Sequence, residues 1–97
     1  MEERDYLIIL YDYYGELLTD NQREYFEDYY FNNLSLGEIS DNVDLSRNAI
    51  HKCIKTAVDK LCFYEEKLEL YSKRKKLDEI MNDINDEDLK SKINDLY

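Results

Sequence analysis

Residues that break helices are almost absent from this chain, and their absence is the strongest constraint on its fold. The 97 residues contain no proline and only two glycines, while Leu, Glu and Lys are abundant. Proline and glycine are the poorest helix formers, whereas those three residues are among the best. The composition therefore predicts an all-α fold in which short loops join the helices.

The length of the chain limits the size of its core. A chain of 97 residues has room for one small domain. Below about 100 residues a hydrophobic core is thin, and self-association often supplements it. We therefore expect a single domain that forms a homodimer.

Two helices are predicted before residue 34. Apolar residues at helical spacing indicate the first over Glu3–Tyr14, and Gly15 suits the left-handed position that often follows a helix. Either Thr19 or Asp20 is a candidate N-cap for the second helix. That helix has an aromatic face and is expected to end at Asn32 and Asn33.

Two capping serines predict the next pair of helices. Ser35 stands three residues before Glu38, which is the spacing of a capping box and opens a short third helix to about Asn42. Asp44 lies in the turn that follows. Ser46 caps a fourth helix, which has an apolar stripe on one side and basic residues on another.

No residue type after Leu61 predicts a break before Asn82, so the fourth helix is expected to continue without interruption. We predict a bundle over residues 1–62 and a helical extension over residues 63–97, within one domain. A last helix is expected over Asp86–Leu96. Apolar residues at seven-residue spacing predict packing between helices or a dimer interface, at Leu61, Tyr64, Leu68, Tyr71 and Leu77.

The charge of the chain is unevenly distributed. Residues 1–44 carry net charge −10, residues 45–60 carry +3, residues 61–76 carry +2 and residues 77–97 carry −5. Basic groups inside an acidic chain indicate a localised contact with phosphates. The candidate nucleic-acid-binding residues are Ser46, Arg47, Asn48, His51, Lys52 and Lys55. A second basic cluster follows at Lys73, Arg74, Lys75 and Lys76.

Two short helices joined by a tight turn, the second of them basic, form the arrangement of a helix-turn-helix reader. Residues 17–61 resemble the C-terminal promoter-reading domain, region four, of sigma factors. The matching pieces are Leu18-Thr19, Gln22-Arg23-Glu24, Leu36, Glu38-Ile39, Leu45-Ser46-Arg47, Ala49-Ile50 and Leu61.

Three longer stretches carry a broader resemblance: Leu10–Ile39, Ser46–Leu61 and Tyr64–Tyr71. They are similar to the YlxM family, small bacterial helix-turn-helix proteins encoded beside the signal recognition particle genes. The resemblance implies a dimeric helical protein that regulates the signal recognition particle pathway. The partners it implies are the RNA of the particle and its targeting GTPase.

The sequence does not predict an enzyme. No nucleophile with an adjacent base, phosphate-binding glycine loop or metal-ligand set is found, so we expect no cofactor and no bound metal. Cys53 and Cys62 fall on opposite faces of one helix and are not expected to form a disulfide. The longest apolar runs are too short to span a membrane, and the acidic start differs from a signal peptide. A cytoplasmic location is expected.

Two other functions fit the same motif. A sequence-specific DNA-binding transcription regulator would use Arg47 and Asn48 to read bases. A protein-interaction module would keep the helix-turn-helix shape without binding nucleic acid. The many tyrosines also suggest stacking on unpaired bases, through Tyr13 and Tyr30, although their helical spacing is more typical of core packing.

Overall fold

A computed structural model describes residues 3–96, which form six α-helices and no strand. The all-α prediction is therefore confirmed. A 3-10 turn over Gly15–Leu17 lies between the first two helices. The α-helices are α1 (Arg4–Tyr14), α2 (Asp20–Tyr30), α3 (Leu36–Asn42), α4 (Arg47–Leu68), α5 (Leu70–Asn82) and α6 (Glu87–Asn94). No helix within the described range is long and apolar enough to cross a membrane.

The predicted N-caps are present at the starts of α2, α3 and α4. Thr19 and Ser35 each form a complete capping box, with Gln22 and Glu38 as the reciprocal partners. The Ser46 hydroxyl accepts a hydrogen bond from the Ala49 amide at 3.1 Å. These side chains satisfy amides that have no partner within the helix, which allows a helix as short as α3 to begin at a defined residue.

The end of α1 differs from the sequence expectation. Gly15 has right-handed helical angles, φ −57° and ψ −34°, because the chain continues directly into the 3-10 turn. A left-handed residue is found instead after the next helix: Asn33, in the connection that follows α2, has φ 57°. Asparagine tolerates this conformation better than most residues.

One hydrophobic core joins the first four helices. The apolar stripe of α4 packs against α1, α2 and α3. Eight large side chains are almost completely buried, namely Leu7, Leu10, Tyr14, Phe26, Ile39, Ile50, Ile54 and Leu61. Because α4 contributes the residues that the other helices share, its position determines the arrangement of the bundle.

The prediction that one helix continues to Asn82 is wrong. Glu69 lies between α4 and α5 with left-handed angles, φ 55° and ψ 31°. This conformation costs a non-glycine residue on the order of 1 kcal/mol. Side chains from other parts of the chain offset that cost by bonding the first amides of α5.

Glu65 and Tyr14 provide these hydrogen bonds. The buried Glu65 carboxylate accepts from the amides of Tyr71 and Ser72, both at 3.1 Å. The Tyr14 hydroxyl accepts from the Leu70 amide at 3.0 Å and donates to Glu65 Oε1 at 2.6 Å. A carboxylate at a helix N-terminus also interacts favourably with the helix dipole. Burial, together with the hydrogen bond to Glu65, raises the pKa of Tyr14 to about 12.

Beyond Glu69, the start of α5 packs beside α1, and α5 and α6 continue the chain in a molecule of dimensions 55 × 24 × 21 Å. Within this arm, defined as residues 70–96, Met81 is the one side chain that is buried. Leu70, Ile80, Leu89 and Leu96 remain exposed. The arm therefore has too little buried apolar surface to form a core of its own.

The five residues predicted to pack between helices or copies lie in different environments. Leu61 is completely buried in the core, so it contributes to packing within the chain and not to a dimer surface. Tyr64 and Tyr71 are half-buried, and their rings lie beside tyrosines of α1. Leu77 is half-buried, and Leu68 is 44% exposed.

The bend at Glu69 gives a stability prediction. Replacing Tyr14 with Phe removes a donor to the buried Glu65 carboxylate and an acceptor for the Leu70 amide. Leaving buried polar groups unpaired costs about 1–3 kcal/mol, so the free energy of unfolding in urea should fall by that amount. Tyr13→Phe is the control. Tyr13 is 39% exposed, and its hydroxyl bonds neither Glu65 nor the Leu70 amide. Equal losses in the two variants would contradict the assigned role of Tyr14.

Candidate nucleic-acid interface

Helices α3 and α4 and the turn between them form a helix-turn-helix. Ile39 of α3 and Ile50 of α4 are both buried and join the two helices through the core. The Ser40 hydroxyl donates a hydrogen bond to the Leu45 carbonyl oxygen at 2.7 Å. Since this bond connects α3 to the turn, it fixes the point at which α4 begins.

The start of α4 presents most of the predicted binding residues to solvent. Ser46, Asn48, His51, Lys52 and Lys55 are all exposed. The Ser46 hydroxyl already caps the helix, so its role is to define the helix start. The side chains of the other four are exposed to solvent, and their role in binding stays a prediction.

Arg47 is exposed but lies against α3. A Cβ atom built on Gly37 would be 2.8 Å from Arg47 Nη2 and 3.0 Å from Arg47 Cζ. The guanidinium therefore occupies the space that a side chain at position 37 would take. Sequence analysis missed this role of Gly37, because periodicity along one helix carries no information on which residue faces it from another.

The cations of α4 differ in their local partners. Lys55 forms an exposed ion pair with Asp59 at 3.3 Å, and Lys60 donates to Gln22 at 3.3 Å. Among the described residues, neither the Lys52 ammonium nor the His51 imidazole has an ion-pair partner. Lys52 is therefore a lysine of this surface whose charge no carboxylate of the described residues offsets.

The second basic cluster lies beyond the bend and does not continue the basic surface along one helix. Arg74 pairs with Asp78 at 3.1 Å and donates to Asn94. The Lys75 ammonium is 5.2 Å from the centroid of the Tyr71 ring. Lys73 and Lys76 are exposed. Since α5 begins after Glu69, these four residues belong to a different helix from Lys52.

The two tyrosines considered for base stacking are not part of this surface. Tyr30 is buried in the core, with 5% exposure. Tyr13 is partly exposed but lines a groove with Leu70, Arg74 and Asn94, between α1 and the arm. Their positions match the alternative expectation, that the regularly spaced tyrosines serve mainly in packing.

Cys53 and Cys62 are half-buried and form no disulfide within residues 3–96, and burial raises the pKa of the Cys53 thiol. A raised pKa keeps the thiol protonated and unreactive near neutral pH. Within residues 3–96, no group of three His, Cys, Asp or Glu side chains is arranged to hold a metal ion.

Comparison with known families shows which family this chain belongs to. The model of the family described as "UPF0122: Putative helix-turn-helix protein, YlxM / p13 like" matches residues 1–96. The chain belongs to this family. The predicted resemblance to YlxM proteins is therefore confirmed. The family's description names a helix-turn-helix, which is the arrangement that α3 and α4 adopt in this chain.

Several UPF0122 proteins are similar to this chain. One from Caldanaerobacter subterraneus is 53% identical over 72 residues, covering 74% of this chain and 62% of that relative. One from Thermoanaerobacter sp. is 51% identical over 77 residues, covering 79% and 63%. One from Ureaplasma parvum is 43% identical over 94 residues, covering 97% and 95%. The matched region thus spans less than two thirds of the first two relatives.

Membership of the UPF0122 family is informative about the type of activity. Helix-turn-helix proteins typically bind nucleic acid through the second helix of the motif, which here is α4. A helix-turn-helix family with an all-α fold is also typical of proteins that are not enzymes.

The two glycines provide a test of the contact between Arg47 and Gly37. At Gly37 an added methyl group meets the flexible end of Arg47, while at Gly15 it would lie 2.9 Å from the Tyr11 ring. That ring is stacked on Phe26 and cannot move freely. Gly37→Ala should leave the free energy of unfolding unchanged or raise it by up to about 1 kcal/mol. Gly15→Ala should lower it by about 1–3 kcal/mol through overpacking.

Denaturant titration measures both values, and the NMR signal of the Arg47 Nε–H group reports the displaced guanidinium. A Gly37→Ala protein as unstable as Gly15→Ala, with an unchanged Arg47 signal, would contradict the described contact.

Proposed function

We propose that this protein binds RNA through the exposed start of α4 and acts as a regulatory component of the signal recognition particle pathway in the cytoplasm. The carrying observation is that an acidic chain concentrates exposed cations on the second helix of its helix-turn-helix. Lys52 and Lys55 contact phosphates, His51 lies beside them, and Arg47 and Asn48 face the groove of the nucleic acid.

The distribution of charge supports a narrow contact. Residues 1–44 carry net charge −10 and would repel a duplex that lay broadly across the bundle. The start of α4 is the part of the bundle where exposed cations are concentrated. An RNA stem that touches this helix alone avoids most of the repulsion.

The pathway is assigned from the resemblance to YlxM proteins, which are encoded beside the signal recognition particle genes. In this proposal the RNA of the particle is the nucleic-acid partner. The targeting GTPase binds the acidic surface of the bundle through basic groups of its own. The protein has no catalytic role and regulates by holding these partners together.

Charge reversal tests the binding surface. Lys52→Glu should lower affinity for the signal recognition particle RNA on the order of tenfold and reduce the salt dependence by about one phosphate contact. Lys55→Glu should have a smaller effect, because Lys55 is already paired with Asp59. Fluorescence anisotropy at several salt concentrations measures both quantities.

Lys92→Glu is the matched control, because it makes the same change in net charge on α6. Equal effects of Lys52→Glu and Lys92→Glu would attribute the loss to overall charge and reject the proposed surface. Binding of the GTPase in the absence of RNA, with no binding of RNA at all, would favour a protein-interaction module.

A DNA-binding transcription regulator is the second candidate. The observation that favours it is the position of Asn48 at the exposed first turn of α4, where side chains of a recognition helix reach base edges. The likeness of residues 17–61 to sigma-factor region four points the same way. This candidate requires a strong preference for one duplex, so equal affinity for a panel of DNA duplexes would reject it.

We also expect the protein to form a homodimer through the arm. Leu70, Ile80 and Leu89 are exposed on helices that lack a core, Leu96 is exposed just after the last of them, and a second copy would cover all four. Sedimentation velocity should give about twice the monomer mass at micromolar concentration, and Ile80→Glu should shift the protein toward monomer. A wild-type monomer at high micromolar concentration would contradict this expectation.

A further inference from the structure

Phe63 interrupts a helix face that is otherwise polar. It lies on α4, and its side chain is 53% exposed. Phe63 follows Lys52 by eleven positions, which is close to three helical turns. The two side chains therefore point in nearly the same direction and lie about 16 Å apart along the axis. Exposed polar residues occupy the turns between them, including Lys55 and Asp59.

The core does not explain this phenylalanine. Its ring has an edge contact with the neighbouring Tyr64, at 6.0 Å between centroids. The Lys67 ammonium lies over one face of the Phe63 ring, 5.7 Å from its centroid, so a ligand would stack on the other face. The buried stripe of α4 is on the opposite side of the helix, at Ile54, Ala57 and Leu61.

An aromatic ring beside a cation suits one kind of ligand in particular. The face of a nucleobase stacks on an aromatic ring, and the phosphate that follows it is attracted by a nearby ammonium. Bases within a duplex already stack on each other, so a helix surface meets their faces only where the bases are unpaired. Recognition of RNA by proteins commonly uses such unpaired bases, in loops, bulges and ends.

We propose that Phe63 stacks on an unpaired RNA base while Lys52, three turns earlier on the same face, contacts the phosphates of the adjoining stem. The ligand is therefore RNA in which a paired stem meets a loop or bulge, and Lys67 contacts the phosphate beside the stacked base. This inference rests on the proposed nucleic-acid-binding function of α4 and specifies its ligand. Stacking by Phe63 would make the protein bind such RNA more tightly than a continuous duplex.

The absence of tryptophan from the chain makes a direct experiment available. Phe63→Trp introduces the only tryptophan of the chain, which can be excited selectively over the ten tyrosines, and stacking on a base should quench its emission. An RNA hairpin with an open loop should quench it, whereas the same stem closed into a blunt duplex should not. Leu17→Trp is the matched control, because Leu17 is also 53% exposed but lies in the acidic half of the chain.

Affinity provides the second measurement. Phe63→Ala should weaken binding of the hairpin about tenfold, as expected for loss of one stacked base, and leave binding of the duplex unchanged. Phe63→Leu should behave like Phe63→Ala, since it keeps an apolar side chain without the ring. Circular dichroism of each variant establishes that the helices are retained.

The outcomes separate this inference from the function on which it rests. Loss of RNA binding in Lys52→Glu, with no effect of Phe63→Ala, would overturn the stacking role and keep the α4 surface. Absence of RNA binding by the wild type would overturn both. A response of the Phe63→Trp emission to the targeting GTPase but not to RNA would assign Phe63 to a protein interface and overturn the inference.

Discussion

Burial of one side of α4 is the constraint on which the rest of this structure depends. The first three helices all pack against its apolar stripe, so the free energy gained by removing that stripe from water holds the bundle together. The same burial fixes the rotation of α4 about its axis. Its polar side must then face solvent, and the cations and Phe63 are presented there as a consequence.

The buried Glu65 carboxylate is the second determinant of the structure, because it stabilises the bend between α4 and α5. It bonds two amides at the start of α5, with Tyr14 bonding a third, and so stabilises a bend that Glu69 would not adopt on its own. A straight helix would have carried Lys73 to Lys76 along the same rod as Lys52. The bend separates the two basic clusters and places α5 beside α1.

These contacts make the bundle and the arm differ in how well they are packed. The bundle is well packed and presents the start of α4 on a rigid support, which favours a defined contact with a ligand. The arm has one buried side chain and several exposed apolar ones. The structure of the arm therefore depends on contacts with other parts of the chain or with a partner, whereas the bundle is stabilised by its own core.

The sequence by itself determined the all-α class of the fold, the caps of α2, α3 and α4, and the position of the positive charge. Those properties are local: Thr19, Ser35 and Ser46 bond amides three residues away, and periodicity identifies the buried stripe. Only the tertiary structure decided the bend at Glu69 and the contact of Arg47 with Gly37. Each depends on groups far apart in the chain, such as Tyr14 and Glu65, and one-dimensional spacing carries no record of which distant groups meet.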